Sequence, residues 1–236
     1  MKKAVLFDLY GTLIDIKTDE YDIFVYEMLS RFLSYHSVNI TAGELRQAYF
    51  ARIEEQMKQS KEVYPEVDVY RIFYEILSEY GRTKFSKRFV VDFAILFRSL
   101  TMRHFGIFEG LYEALGLLTE KYKTSIISDA QWVFAEPEMT VLGIDQFFDL
   151  KILSSRLGFK KPDVRLFDLA AEKLAIKPEE AIYIGDDPAR DLVGSKKAGM
   201  SCILFRSECS EFDGVTPDGC FFSYAELENV LNYMSA

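Results

Sequence analysis

Ala4-Val5-Leu6-Phe7-Asp8-Leu9-Tyr10-Gly11-Thr12-Leu13 opens the chain with an apolar run that stops at a carboxylate and a Gly-Thr turn. A short stretch rich in Val, Leu and Phe reads as a strand buried on both faces of a parallel sheet. Open α/β sheets bind ligands beyond the carboxyl ends of such strands, and that is where Asp8 falls. Taken alone, an acid after a strand serves equally well as a cap for the next turn. The segments further along the chain decide between the two.

After Gly106 the sequence alternates helical stretches with short apolar runs, the pattern of a doubly wound sheet. Strands are predicted at 124–127, 149–153, 181–184 and 201–205, and helices at 109–121, 163–174, 191–198 and 224–233, with Gly199 just past the third of these. Between about Asp15 and Phe105 the character changes: Ile23, Phe24, Met28, Leu29, Phe32 and Leu33 recur at helical spacing. Thr41-Ala42-Gly43-Glu44 has the form of a capping box and predicts a second helix to about Gln59. Tyr70, Phe73, Tyr74 and Leu77 mark a third, closed by Gly81, and Phe89, Phe93, Leu96, Phe97 and Leu100 a fourth. These aromatic stripes read as helix packing. The strand at 4–7 must pair with strands that follow this module. The expected fold is therefore α/β, a doubly wound, mainly parallel, Rossmann-like sheet formed by 1–14 and 106–236, with 15–105 inserted as an α-helical cap domain. Asp15 and Phe105 mark its expected hinges.

A chain of 236 residues has room for one core with one inserted module. A formal net charge of −9 disfavours a dedicated nucleic-acid binder, which needs clustered positive charge, and favours a small-molecule substrate. Cys202, Cys209 and Cys220 are odd in number and lack metal-ligand spacing, so they read as free thiols in a reducing compartment. The apolar segment behind Met1-Lys2-Lys3 is too short for a signal core or a membrane span, and a cytoplasmic protein is expected. His36 and His104 read as structural, and Trp132 either lines a crevice or packs on the cap.

Parallel strands place their carboxyl ends side by side, so Asp8 and Thr12, Ser128, and Asp186 with Asp187 can converge on one crevice, with Lys161 in a nearby loop. Asp8, Asp186, Asp187 and Asp191 repel one another at close range unless a cation neutralises them. Mg²⁺ answers this need: it takes hard oxygen ligands, usually one or two carboxylates, waters and a phosphate oxygen.

Asp8-Leu9-Tyr10-Gly11-Thr12, Ile126-Ile127-Ser128, Lys161-Pro162-Asp163 and Gly185-Asp186-Asp187-Pro188-Ala189-Arg190-Asp191, in this order, resemble the four motifs of the haloacid dehalogenase-like hydrolase superfamily. The resemblance implies that Asp8 is a nucleophile forming an aspartyl-enzyme intermediate, positioned by Thr12. It implies that Ser128, Asp129 and Lys161 bind substrate, with Ser128 at the oxyanion and Lys161 neutralising charge. Lys161, rather than Lys160, is the lysine immediately before the proline. Mg²⁺ would be held by Asp8, the backbone carbonyl of Tyr10 and Asp186, with Asp187 and Asp191 as direct ligands or as anchors for metal-bound water.

Phosphatases of this superfamily carry a second Asp two residues after the nucleophile, as general acid and base, where this chain has Tyr10. With an ordinary pKa of about 10, tyrosine is a poor substitute, and acyl or aryl phosphates would suffer least. A tyrosine there resembles the 2-haloacid dehalogenase branch, whose halide leaves without a proton. Those enzymes use no metal, carry Ser and Asn in place of the acids of the fourth motif, and bind the substrate carboxylate with a cap arginine, for which Arg46 and Arg52 are candidates. The expected function is a Mg²⁺-dependent phosphatase acting on a small, anionic, phosphorylated metabolite. A dehalogenase-like hydrolase acting on carbon, or a low-activity binding or regulatory member, stands as the alternative.

Overall fold

β1, Ala4–Phe7, is apolar along its whole length because it lies in the middle of the sheet with both faces covered. The computed structural model describes residues 1–235. Its sheet has six strands in the order β5-β4-β1-β6-β7-β8, from β4 (Lys123–Ser128), β5 (Leu150–Leu153), β6 (Ala181–Gly185), β7 (Ser201–Phe205) and β8 (Gly219–Phe221). Every pairing in it is parallel. Side chains alternate as the pleat requires: Val5 and Phe7 enter one apolar cluster, Ala4 and Leu6 the other. The first cluster is closed by α5 (Leu111–Thr119), α6 (Trp132–Val141) and α9 (Tyr224–Ser235), the second by α7 (Val164–Leu174) and by Leu192 and Ala198 at the two ends of α8 (Val193–Lys197). The expected doubly wound α/β fold is the observed one.

Four helices precede β3: α1 (Ile23–Tyr35), α2 (Ala42–Gln59), α3 (Val69–Tyr80) and α4 (Lys87–Thr101). They share a separate core of buried aromatics that includes Tyr26, Tyr49, Phe73, Phe93 and Phe97. The capping box at Thr41 and Glu44 forms as expected, each side chain accepting from the other residue's backbone. Gly81 closes α3 in an extended conformation rather than a left-handed one. Glycine is needed there for space, since a Cβ would lie 2.5 Å from both the Leu77 carbonyl and the Phe85 ring.

The ends of the inserted module are not helical. Ile14–Thr18 (β2) pairs antiparallel with Met102–Ile107 (β3), setting Asp15 opposite Gly106 and Ile16 opposite Phe105. The two expected hinge points are thus joined in one ribbon. His104 lies 3.0 Å from Asp15 across it, and His36 packs against Phe32 and Phe89. A second connection comes from the loop between α2 and α3: Glu66 N–H donates to Gly158 O (3.0 Å) and Lys160 N–H to Tyr64 O (2.9 Å). Val133 and Phe134 of α6 join the aromatic core of the four helices, and the Trp132 ring lies 5.6 Å from Tyr70, so Trp132 packs on this module. The three cysteines are free thiols. Among the described residues no helix is long and apolar enough to cross a membrane.

Candidate active site

The carboxyl ends of β1 and β6 bring Asp8 and Asp186 together, and the turn after β6 returns Asp191 to them; oxygens of the three lie within 4.8 Å of one another. Lys161 reaches the cluster from the loop before α7. Its Nζ donates to Asp8 Oδ1 (2.7 Å), Asp191 Oδ1 (2.6 Å) and Tyr183 Oη (3.1 Å), which uses all three ammonium protons. Burial opposes the charged ammonium, but Asp191 and Asp8 outweigh it and raise the Lys161 pKa above its usual range. Lys160, by contrast, points into a cavity. No hydrogen bond other than that from Lys161 reaches the Asp8 side chain among the described residues, which leaves Oδ2 without a protein partner.

Close backbone approach makes this geometry possible at two glycines. Gly11 turns with φ +84°, and a Cβ there would lie 2.4 Å from Asp186 Oδ2, so the Tyr10–Gly11 turn rests directly against that carboxylate. A Cβ at Gly185 would lie 2.3 Å from Asp191 Oδ2. That oxygen accepts from the N–H groups of Asp186 (3.1 Å) and Asp187 (3.0 Å), which clamps the turn carrying both acids. Pro188–Leu192 forms a π-helical turn, which returns Asp191 beneath Asp186.

Three expected assignments change. Thr12 is expected to position Asp8; its hydroxyl instead donates to Asp186 Oδ1 at 3.3 Å. Asp187 is expected beside the metal; its carboxylate turns away, capping the N–H groups of Ala189 and Arg190 and accepting from Arg190 Nε at 2.7 Å. Burial opposes its charge, yet Arg190 and these N–H groups hold its pKa below the usual carboxylate value. Arg46 and Arg52 do not reach the cavity between the helical module and the sheet: Arg52 pairs with Glu79, and Arg46 lies over Phe50. Ser128 does end β4 as expected, beside β1 and buried.

That cavity has a volume of about 450 Å³, within the range of small-ligand sites. Tyr10, Asp129, Lys160 and Arg190 line it from the sheet side, Glu66 and Arg98 from the helical side. Arg98, Glu138 and Tyr183 are contributors that motif reading misses. Arg98 Nε donates to Glu138 Oε1 (2.6 Å), and Tyr10 donates its O–H to Glu138 Oε2. Burial first, and then Glu138, drives the Tyr10 pKa well above its ordinary value. Arg98 is one of two arginines in α4 and Glu138 one of two glutamates in α6, and nothing in the sequence pairs them.

Three carboxylates and one ammonium leave two negative charges uncompensated, a balance that a divalent cation would supply. The donor set, all hard oxygen, fits Mg²⁺. Burial, then Asp8, then Asp191 push the Asp186 carboxyl up to about 6. In metal-free protein the native state therefore holds a proton that the unfolded chain has already lost, and Asp186 makes stability fall as pH rises from about 4 to about 6. Thermal melts of wild type minus Asp186→Asn should show that slope, and its absence would refute the assigned environment. Asp187→Ala should cost about 1 kcal/mol through loss of the cap, or about 2–4 °C in melting temperature. It should also shift the half-saturating Mg²⁺ concentration less than Asp186→Asn does, as read by melts across a Mg²⁺ titration.

A family model of haloacid dehalogenase-like hydrolases matches residues 2–199. The chain is 29% identical over 168 residues to the glyceraldehyde 3-phosphate phosphatase of Methanothermobacter thermautotrophicus, covering 61% of this chain and 70% of that one. Other relatives of that name are matched over 34% to 50% of their own length. To the N-acetylmuramic acid 6-phosphate phosphatase of Pseudomonas putida it is 27% identical over 205 residues, 86% of this chain and 82% of that one. The structure of a 2-haloacid dehalogenase from Pseudomonas syringae pv. Tomato superposes with a TM-score of 0.67 at 21% identity, covering 99% of this chain and 100% of that one, a likeness of fold. With a family match over residues 2–199, the chain belongs to the haloacid dehalogenase-like hydrolases, and the buried acids paired to Lys161 lie within the matched segment.

Proposed function

We propose that this hydrolase is a Mg²⁺-dependent phosphatase that acts on a small phosphorylated metabolite through an aspartyl-phosphate on Asp8. The observation that carries the reading is the gathering of Asp8, Asp186 and Asp191 around the Lys161 ammonium, a site whose residual charge calls for a divalent cation. The names of the phosphatase relatives support it.

Asp8, Asp186 and the Tyr10 carbonyl would hold Mg²⁺, which when bound neutralises the carboxylates and polarises the phosphoryl group. Asp8 Oδ2 attacks phosphorus while Lys161 fixes Oδ1 and offsets charge. Ser128 and adjacent backbone N–H groups at the end of β4 receive the transferring oxyanion. Thr12 and Asp191 hold Asp186 and its turn in place. Residues 15–105 act as a cap that excludes water from the cavity, with the core made by 1–14 and 106–236. Three free thiols and an acidic chain support a cytoplasmic protein whose partner is an anionic small molecule rather than nucleic acid or membrane.

Tyr10 favours a second reading, halide displacement from carbon. The unbalanced acids oppose it, because a haloacid is itself an anion. Release of phosphate from glyceraldehyde 3-phosphate, acetyl phosphate and an aryl phosphate, with Mg²⁺ or chelator, beside chloride release from 2-chloropropionate, tests both. Chelator-sensitive phosphate release is expected; chloride release indifferent to chelator would overturn the phosphatase.

A further inference from the structure

We propose that Asp129 is the general acid and base that position 10 lacks; the proposal rests on the phosphatase reading above. Phosphoryl transfer from an alkyl ester needs a proton for the departing alkoxide, and Tyr10 does not have one to give. Its O–H is committed to Glu138, and the Arg98 guanidinium lies 5.3 Å from the centre of its ring.

Asp129 stands one strand over. The register of β1 on β4 pairs Phe7 with Ile126, and three residues further along each chain lie Tyr10 and Asp129. Both lie just past the carboxyl ends of these adjacent strands, at one edge of the sheet, and both line the cavity. The Asp129 side chain is 7% exposed and lines the cavity. Its Oδ1 accepts from the backbone N–H of Lys161 at 2.8 Å, which ties it to the residue whose side chain grips Asp8. Its Oδ2 is buried and has no hydrogen-bond partner; Arg190 Nη1, at 3.7 Å, is beyond bonding distance. A buried carboxyl oxygen without a donor is costly unless it carries a proton or meets a ligand, and a general acid does both.

The other cavity acids are spoken for. Glu66 accepts from Ser154 Oγ through Oε2 and from the Val67 N–H through Oε1, and Glu20 accepts from Tyr49 Oη. The charged groups facing Asp129 are Lys161, Arg190, Asp191 and, from the cap, Glu66. Burial raises its pKa, with Lys161 and Arg190 opposing, and a phosphate dianion bound alongside adds to the rise.

The steps balance. Asp8 Oδ2 bonds to phosphorus, the bond from phosphorus to the leaving oxygen breaks, and the Asp129 Oδ2 proton passes to that oxygen to give the alcohol. Asp129, now a carboxylate, takes a proton from water as the water oxygen bonds to phosphorus. The Asp8–phosphorus bond breaks, leaving inorganic phosphate, ionised Asp8 and protonated Asp129.

The test compares Asp129→Asn with wild type, with Mg²⁺, on glycerol phosphate and on 4-nitrophenyl phosphate. An isosteric amide keeps the acceptor for the Lys161 N–H and removes the proton. Alkyl phosphate turnover should fall about 10²–10⁴-fold, because that leaving group needs the acid. On the aryl ester the first transfer survives, so a burst of one nitrophenolate per enzyme should precede slow turnover. The intact protein should then gain the mass of one phosphoryl group. Equal losses on both esters without a burst, or a raised KM with kcat kept, would overturn the proposal and assign Asp129 to folding or to binding. Should Asn at 129 prevent folding, Asp129→Ala supplied with formate should regain alkyl phosphate turnover, and failure of that rescue in folded protein counts against it. A wild type with no Mg²⁺-dependent phosphate release fails at the phosphatase reading itself, before Asp129 is tested.

Discussion

Asp8→Asn is expected to lower Mg²⁺-dependent phosphate release by about 10⁴-fold or more while the protein stays folded, since losing a covalent nucleophile is among the costliest single changes in an enzyme. The side chain is 9% exposed and its Oδ1 is held by Lys161, so the free oxygen has one direction in which to act. Asparagine keeps the shape but is not a nucleophile toward phosphorus, and it lightens a cluster that carries more carboxylates than cations. Lys161 retains Asp191 at 2.6 Å, so no buried charge is orphaned. Melting temperature should hold or rise in metal-free protein. Phosphate release and thermal melts on the same preparation check both halves. Retained turnover in Asp8→Asn would remove Asp8 from the chemistry.

The features legible in the sequence are those whose cause is local. β1 and β6 are unbroken apolar runs because each is covered on both faces, and the capping box at Thr41 is written within four residues. The three acids and the lysine were likewise legible, since parallel strands deliver their ends to one edge. α6 was not. Val133 and Phe134 face the core of the four helices while Ala135 and Met139 face the sheet, so no single apolar stripe appears, and Pro137 interrupts the helical signal. β2 and β3 hide for another reason: Asp15, Lys17 and His104 make them polar, and their pairing closes over the whole inserted module. The bond from Arg98 to Glu138 joins residues 40 apart in sequence, and the turn of Asp187 towards Arg190 depends on a π-helical turn that composition does not announce. Side-chain partners set by tertiary contact are where reading from sequence stops.

Lys161→Met is expected to be the most destabilising single change at the site. The ammonium is 2% exposed and shared between Asp8 and Asp191, the latter fully buried. Removing one partner of a buried ion pair leaves an uncompensated charge, which costs about 3–5 kcal/mol. For a chain of this size that is a fall of roughly 6–20 °C in melting temperature. The sign with pH is diagnostic. In wild type the Lys161 pKa is raised, so its contribution is complete below the ordinary lysine value and is lost only as pH climbs through the higher folded one. Wild type is therefore insensitive to this lysine around neutrality. In the variant, Asp191 lacks its cation, and burial, no longer opposed by Lys161, holds its carboxyl pKa above that of the unfolded chain. Native protein then holds an extra proton, so the deficit grows as pH rises and shrinks as pH falls. Melts of both proteins between about pH 5 and pH 8, together with Lys161→Met/Asp191→Asn, measure this directly. The double variant should recover part of the loss, because the most buried of the orphaned charges is gone. A deficit independent of pH and unrelieved by the second change would mean that Lys161 stabilises the fold by packing, and that the charge balance inferred for this site is wrong.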